Sequence, residues 1–174
     1  MTSGGKKLFS FARLAGVVAV VLLALPALGT TVHRAERLTI EHPFRSPQKF
    51  TDHERCDNCG MDRNKYARTR YEFETDRGTH YTCSIACVAV LGMKLNEQSR
   101  NVRVAEYLHP EKMLDAGRAF YVMGSTAPGT MTAVSKIAFE SRKKAAAFAA
   151  RYGGKVVGFS DALDAARKEA TGER

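Results

Sequence analysis

Apolar and polar positions divide the chain into three stretches. From Leu14 to Val32, "LAGVVAVVLLALPALGTTV", no residue is charged, and Lys6, Lys7 and Arg13 precede the run. A basic flank leading into an apolar segment is the pattern of an export signal, with positive charge kept on the cytoplasmic side. Ala27-Leu28-Gly29 places small residues where cleavage after Gly29 would fit. The run is also about the ~20 residues that a bilayer-spanning helix needs. Residues 1–32 are therefore a signal or an anchor, and either outcome puts the remainder outside the cytoplasm, free or held at the membrane. Residues 33–54, "HRAERLTIEHPFRSPQKFTDHE", are polar, hold two prolines and lack a steady period, which predicts a linker. A domain is expected over 55–174.

Within that domain the periodicity switches repeatedly. "RYEFET" (Arg70 to Thr75) alternates, with Tyr71, Phe73 and Thr75 on one face, as a half-buried strand does. Asp76-Arg77-Gly78 is turn chemistry, and Thr79 to Cys83 reads as the return strand of a hairpin. Ser84 is placed to cap a helix whose buried face carries Ile85, Val88, Leu91 and Leu95. A further strand is expected over Val102 to Tyr107. The plan then recurs: strand Ala119 to Ser125, loop Thr126 to Met131, strand Ala133 to Glu140, and Ser141 capping "RKKAAAFAARY". Gly153-Gly154 ends that helix. Lys155 to Phe159 is a last strand, and "SDALDAARKEA" a short amphipathic helix with Ser160 as its cap. The predicted fold class is α+β, two tandem strand–strand–helix units after an N-terminal hydrophobic helix.

Charge changes this picture little. The chain carries +9 over 174 residues, and three of those charges, Lys6, Lys7 and Arg13, belong to the signal segment. The densest cluster elsewhere is Arg142-Lys143-Lys144, on a helix. Nucleic-acid binders concentrate basic residues in a stripe with interleaved aromatics; here they are scattered over a solvated surface, and no nucleic-acid partner is expected.

The four cysteines change it more. They fall as Cys56-x2-Cys59 and Cys83-x3-Cys87, separated by the predicted hairpin, so two pairs can converge. An exported protein meets oxidising machinery, and two disulfides would satisfy the same count. The convergent geometry resembles a treble clef or zinc ribbon, with a wider gap and one extra residue in the second pair. It would give a tetrahedral thiolate site for zinc or another soft ion. Gly60 after the second cysteine excludes a haem attachment, which needs histidine there. Gly60, Asp62 and Asn64 favour a loop over the helix start that activates a thioredoxin-type pair.

Methionine distinguishes the site. A thioether is a soft, neutral ligand that suits Cu(I) and binds hard ions poorly. Met61 lies two residues beyond Cys59, outside any helix, and Met131 ends a polar, glycine-containing loop where burial has no evident cause. Both are ligand candidates. Met123, on an alternating strand, reads as core, as do Phe120 and Tyr121. His80 is expected to be an exposed hairpin residue, and Asp57 and Asp62 to be turn formers.

Cys56-x-x-Cys59-Gly60-Met61, "AFYVMGS" (Ala119 to Ser125), Thr130-Met131 and "AFESRKKAAAFAARYGGKVVGF" (Ala138 to Phe159), in that order, resemble the NosL family, accessory proteins of nitrous oxide reductase. The resemblance spans Cys56 to Ala162. It implies a periplasmic chaperone that binds a single Cu(I) and hands it to that copper enzyme or its assembly proteins. It also implies a fold of two related strand–strand–helix units, similar to the organomercurial lyases. The implied copper ligands are Cys56 or Cys59, Met61 and Met131. Three departures stand out. No cysteine follows the signal segment where family lipoproteins carry one; Thr130 stands where proline usually precedes the loop methionine; and Cys83 and Cys87 are additional. The added pair implies a four-cysteine zinc site or a copper site richer in thiolate. A structural zinc module is thus the competing expectation, and a lyase-like enzyme using Asp57 or Asp62 as proton donor a more distant one.

Overall fold

Two hairpins, each followed by a serine-capped helix, organise residues 49–173, which the computed structural model describes. The predicted signal or anchor and most of the predicted linker lie outside the described residues. Among the described residues, no helix is long and apolar enough to cross a membrane.

Strand β1 (Tyr71–Thr75) runs through the two-residue turn Asp76-Arg77 into β2 (Gly78–Thr82), with Thr75 paired to Gly78. Tyr71, Phe73 and Thr75 are buried and Glu74 exposed, so the alternation does select one face. Ser84 then caps α1 (Ile85–Leu95), its hydroxyl accepting from the Cys87 amide at 3.3 Å. That satisfies one of the four amides which a helix start leaves unpaired. Strand β3 (Arg100–Ala105) returns antiparallel to β1, and the short β4 (Met113–Asp115) adds to its far edge, giving the order β2-β1-β3-β4. The second unit repeats the plan: β5 (Phe120–Met123), β6 (Lys136–Phe139), Ser141 capping α2 (Arg142–Tyr152), then β7 (Lys155–Val157) beside β5. Its order, β6-β5-β7, copies β2-β1-β3. The tandem repeat is therefore strand–strand–helix–strand. Helix α3 (Phe159–Thr171) follows it.

Burial differs between the sheets for a reason that can be read from the layers. Every residue of β6, Lys-Ile-Ala-Phe, is buried, because the second sheet is covered on both faces. Tyr121 and Ala138 face a core shared with Val88 of α1 and Ala162 and Ala166 of α3. Val122, Ile137 and Phe139 face Ala145 and Phe148 of α2. The Phe139 and Phe148 rings lie 4.9 Å apart, and each such side chain contributes about 1.5–3 kcal/mol by burial.

Several expected boundaries move. Ser160 does not cap the last helix: α3 begins at Phe159 with Gly158 as N-cap and no side-chain cap bond. Phe159 packs its ring 5.8 Å from Tyr121, and the helix starts two residues earlier than expected. The strand expected over Val102 to Tyr107 starts at Arg100 and stops at Ala105. Beyond it, the Tyr107 amide turns to the Ala138 carbonyl of the second sheet. The strand expected from Ala133 begins only at Lys136, since 132–135 wrap a carboxylate described below. Residues 49–54 are fastened to the domain: Asn64 Oδ1 accepts from the Phe50 and Thr51 amides at 2.6 and 3.0 Å, and His53 stacks on Tyr81 at 3.5 Å. Met123, expected in the core, is half-buried in β5.

Candidate metal centre

The first cysteine pair is carried on a tight turn. The Gly60 amide donates to the Cys56 carbonyl at 2.8 Å, and the Cys56 amide to the Met61 carbonyl at 3.0 Å. Gly60 sits at φ +74 with open space around it, so the backbone conformation requires glycine here. Asp57 docks the turn on the edge of β2: its amide donates to the Tyr81 carbonyl at 2.9 Å and its Oδ2 accepts from the Tyr81 amide at 2.7 Å. The second pair is placed by the other end of the same hairpin. Cys83 directly follows β2, and Cys87 is in the first turn of α1, one helical turn further on.

These elements bring all four sulfurs within 4.8 Å of one another. Cys59 and Cys83 are 3.5 Å apart, Cys59 and Cys87 3.6 Å, and Cys83 and Cys87 3.7 Å. An ion held tetrahedrally by thiolates at ~2.3 Å would set its sulfurs ~3.8 Å apart. The donor set therefore fits a four-coordinate soft cation with little adjustment. All four cysteines are free thiols, and the separations far exceed the ~2.05 Å of a disulfide.

Ionisation is unequal across the cluster. Hydrogen bonds from Cys83 and Cys87 hold the Cys56 thiol far below the ordinary range, with the Cys59 and Cys83 amides adding and burial opposing. Cys83 is pushed far up by Cys56 and Cys87, with burial adding. Cys87 is pushed up to about 11, chiefly by Cys56. The physical content is that a buried thiol cluster favours one negative charge, solvated by its neighbours' S–H groups, over several. A cation reverses that preference and displaces protons as it binds.

Two residues with no evident sequence signal hold the frame. Arg63 has a fully buried side chain. Its guanidinium donates to the Thr82 carbonyl (3.2 Å), the Tyr71 carbonyl (3.2 Å), the His53 carbonyl (2.5 Å) and Thr51 Oγ1 (3.1 Å). It thus joins the chain before Cys56 to the residue before Cys83. The Thr69 hydroxyl bonds to the Cys83 carbonyl at 2.9 Å and shares a 2.7 Å hydrogen bond with the Thr130 hydroxyl. The methionine loop is tied through it to the cysteine end.

Met61 is half-buried and packs on the cysteine cluster. Met131 stands apart from that shell. It is 55% exposed and adopts φ +55, a left-handed conformation that costs a non-glycine residue about 1–2 kcal/mol. Beside it, Gly129 approaches Thr132 and Ser135 so closely that a Cβ would lie 2.5 Å from Thr132 Cγ2. Met131 and Cys87 line one cleft of about 490 Å³, with Asn58, Val90, Ala166 and Glu169 on its walls. The Asn58 side chain partly offsets the upward shift of the Cys87 thiol, and Lys94 Nζ donates to Asn58 Oδ1 at 2.9 Å.

His80 departs from expectation. Its ring is mostly buried, bonded to Thr75 Oγ1 at 2.9 Å and tilted against Phe73; the hairpin face that carries Phe73 covers it. It is not among the clustered ligand atoms. Asp62 is a turn former, accepting from the Asn64 and Lys65 amides.

Fold and site together define a small α+β domain whose four-thiol centre can hold a metal ion. Comparison narrows this to one lineage: the sequence profile of the NosL family matches residues 47–166, and the chain belongs to that family. A curated relative, the copper-binding lipoprotein NosL of Stutzerimonas stutzeri, is 29% identical over 167 residues, covering 90% of this chain and 84% of its own length. The crystal structure of the copper chaperone NosL from Shewanella denitrificans superposes with a TM-score of 0.53 at 21% identity, over 68% of this chain and 96% of that one. It shares the fold.

Proposed function

We propose that this protein is an extracytoplasmic Cu(I) chaperone that delivers copper to a copper enzyme, with nitrous oxide reductase or one of its assembly proteins as recipient. The observation that carries the reading is the convergence of Cys87, one of four clustered thiols, and Met131 on a single open cleft. Sulfur donors of both kinds select a soft monovalent ion over harder competitors. The ligands are drawn from Cys56, Cys59, Met61, Cys83, Cys87 and Met131. Thiolates would supply tight binding. Met131, neutral and exposed, is the ligand that yields when a recipient's own ligand enters the cleft, so the ion passes by exchange without being released to water. The uncharged segment before Val32 would carry the domain out of the cytoplasm, either remaining as a membrane anchor or being removed. The relatives' names, a copper-binding lipoprotein and a copper chaperone, support this reading.

Anaerobic Cu(I) titration against a chromophoric chelator tests it. The double variant Cys59→Ser, Met131→Leu should bind more weakly than the parent, and equal binding by the two proteins would refute the assignment. The sulfur spacing also suits a resident structural Zn2+ on all four cysteines, the second reading. That reading expects purified protein to contain one zinc and to unfold on chelation. Elemental analysis with thiol counting separates the two.

A further inference from the structure

Behind Met131 the chain wraps an ion pair between a buried lysine and a half-buried glutamate that the copper chemistry does not itself require. Lys136 opens β6 with its side chain wholly buried, and its ammonium donates to Glu169 Oε1 at 2.6 Å, the Val134 carbonyl at 2.9 Å and Thr132 Oγ1 at 2.8 Å. Glu169, in the last turn of α3, gathers the same segment from outside. Its carboxylate accepts from the Thr132 hydroxyl at 2.6 Å and from the Ala133 and Val134 amides at 3.3 Å each. Five contacts thus converge on the three residues that follow Met131, and the Lys136–Glu169 pair locks them together. Met131 itself makes no such bond and keeps an unfavourable φ of +55. On its other side Thr130 is buried and fixed to Thr69. Clamped at both flanks, the methionine is held over the cleft that Glu169 also lines.

We infer that Lys136 and Glu169 are positioning residues that hold Met131 over the copper cleft, an inference that rests on the Cu(I) reading above. Neither touches the ion. Their effect is to raise the fraction of molecules whose thioether is already placed to bind. If freeing the loop lowers that fraction to one in ten, apparent affinity falls about tenfold.

The test uses the whole protein in four variants: Met131→Leu, Glu169→Ala, the two combined, and the charge-only change Glu169→Gln, which preserves side-chain shape should the alanine variant fold poorly. Three quantities are read: Cu(I) affinity by anaerobic competition, hydrogen exchange at the Ala133 and Val134 amides, and Cd2+ binding by thiolate absorption. Glu169→Ala should weaken Cu(I) binding about tenfold and add nothing in the Met131→Leu background, since the two residues act through one ligand. The two amides should exchange faster, while Cd2+ binding by the four cysteines, followed by its thiolate absorption, stays as in the parent. A purely architectural role would instead disturb the Cd2+ site as well. The clamp is overturned alone if Met131→Leu weakens copper binding and both Glu169 variants bind like the parent. If Met131→Leu binds copper as the parent does, the methionine-ligand reading fails and the clamp falls with it.

Discussion

Arg63 offers the most stringent check on how the cysteine site is built. Replacing it with methionine keeps a side chain of similar reach and removes every donor. The Tyr71 and Thr82 carbonyls that it serves lie beside residues that are 1% and 0% exposed, whereas the His53 carbonyl and Thr51 hydroxyl are near enough to the surface to find water. Both carbonyls also belong to the Tyr71–Thr82 ladder pair, so each loses a second bond, one to a charged donor; such a bond is worth about 1.5–3 kcal/mol, so two give about 4 kcal/mol. Burial lowers the Arg63 pKa, and Glu72 and Asp57 oppose the shift. Part of the cost is therefore returned when the charge is no longer buried, and about 3 kcal/mol is the expected net loss. For a domain of this size that lowers the melting temperature by roughly 10–15 °C. Urea unfolding followed by circular dichroism measures it. Arg63→Lys should recover less than half, because an ammonium cannot span carbonyls on three segments at once. Saturating Cd2+ should restore part of the loss by binding only the folded cluster. A methionine variant within ~1 kcal/mol of the parent would refute the claim that this guanidinium braces the site.

The other expectations are briefer. Gly154 has φ +91, and an added Cβ would meet the Met123 carbonyl at 2.7 Å and the Ser125 amide at 2.9 Å; Gly154→Ala should cost about 2–3 kcal/mol in urea unfolding. Burial pushes the Glu169 carboxyl up, but its bonds from Lys136 and Thr132 outweigh this and hold it below the ordinary carboxylate value. Its stabilisation is therefore full above the unfolded-state value of 4.5 and lost as pH falls through the folded one. The stability gap between the parent and Glu169→Gln should accordingly close as the medium is acidified below pH 4, as paired unfolding curves would show. Thr69→Val severs the link between Thr130 and the Cys83 carbonyl and should cost about 1–2 kcal/mol, with faster hydrogen exchange in the methionine loop as the independent sign.

Much of the architecture was legible in local pattern, and the reasons are specific. Ser84 and Ser141 cap the helices expected of them because a serine before an apolar helical period has one low-energy use. Tyr71-x-Phe73-x-Thr75 set the first hairpin's buried face because a strand's period admits no ambiguity about sides. The convergence of four cysteines followed from placing one pair on each side of that hairpin. What escaped notice is long-range. The strand Met113–Asp115 is three residues of pairing against β3, with no periodicity of its own. Arg63, Lys136 and Glu169 look like ordinary surface charges in sequence, and only tertiary packing encloses them. Ser160 misled because the pull of Phe159 on Tyr121 outweighs a cap worth about 1 kcal/mol.

Adjacent residues of the methionine loop face opposite ways, Thr130 inward and Met131 outward. The inward one is moored to Thr69, and Thr69 to the carbonyl of Cys83. The exposed methionine therefore sits one residue from a chain of two hydrogen bonds that ends on the carbonyl of a cysteine. On the chaperone reading proposed above, a recipient that touches the exposed thioether would meet a loop already tied to the cysteine end of the domain.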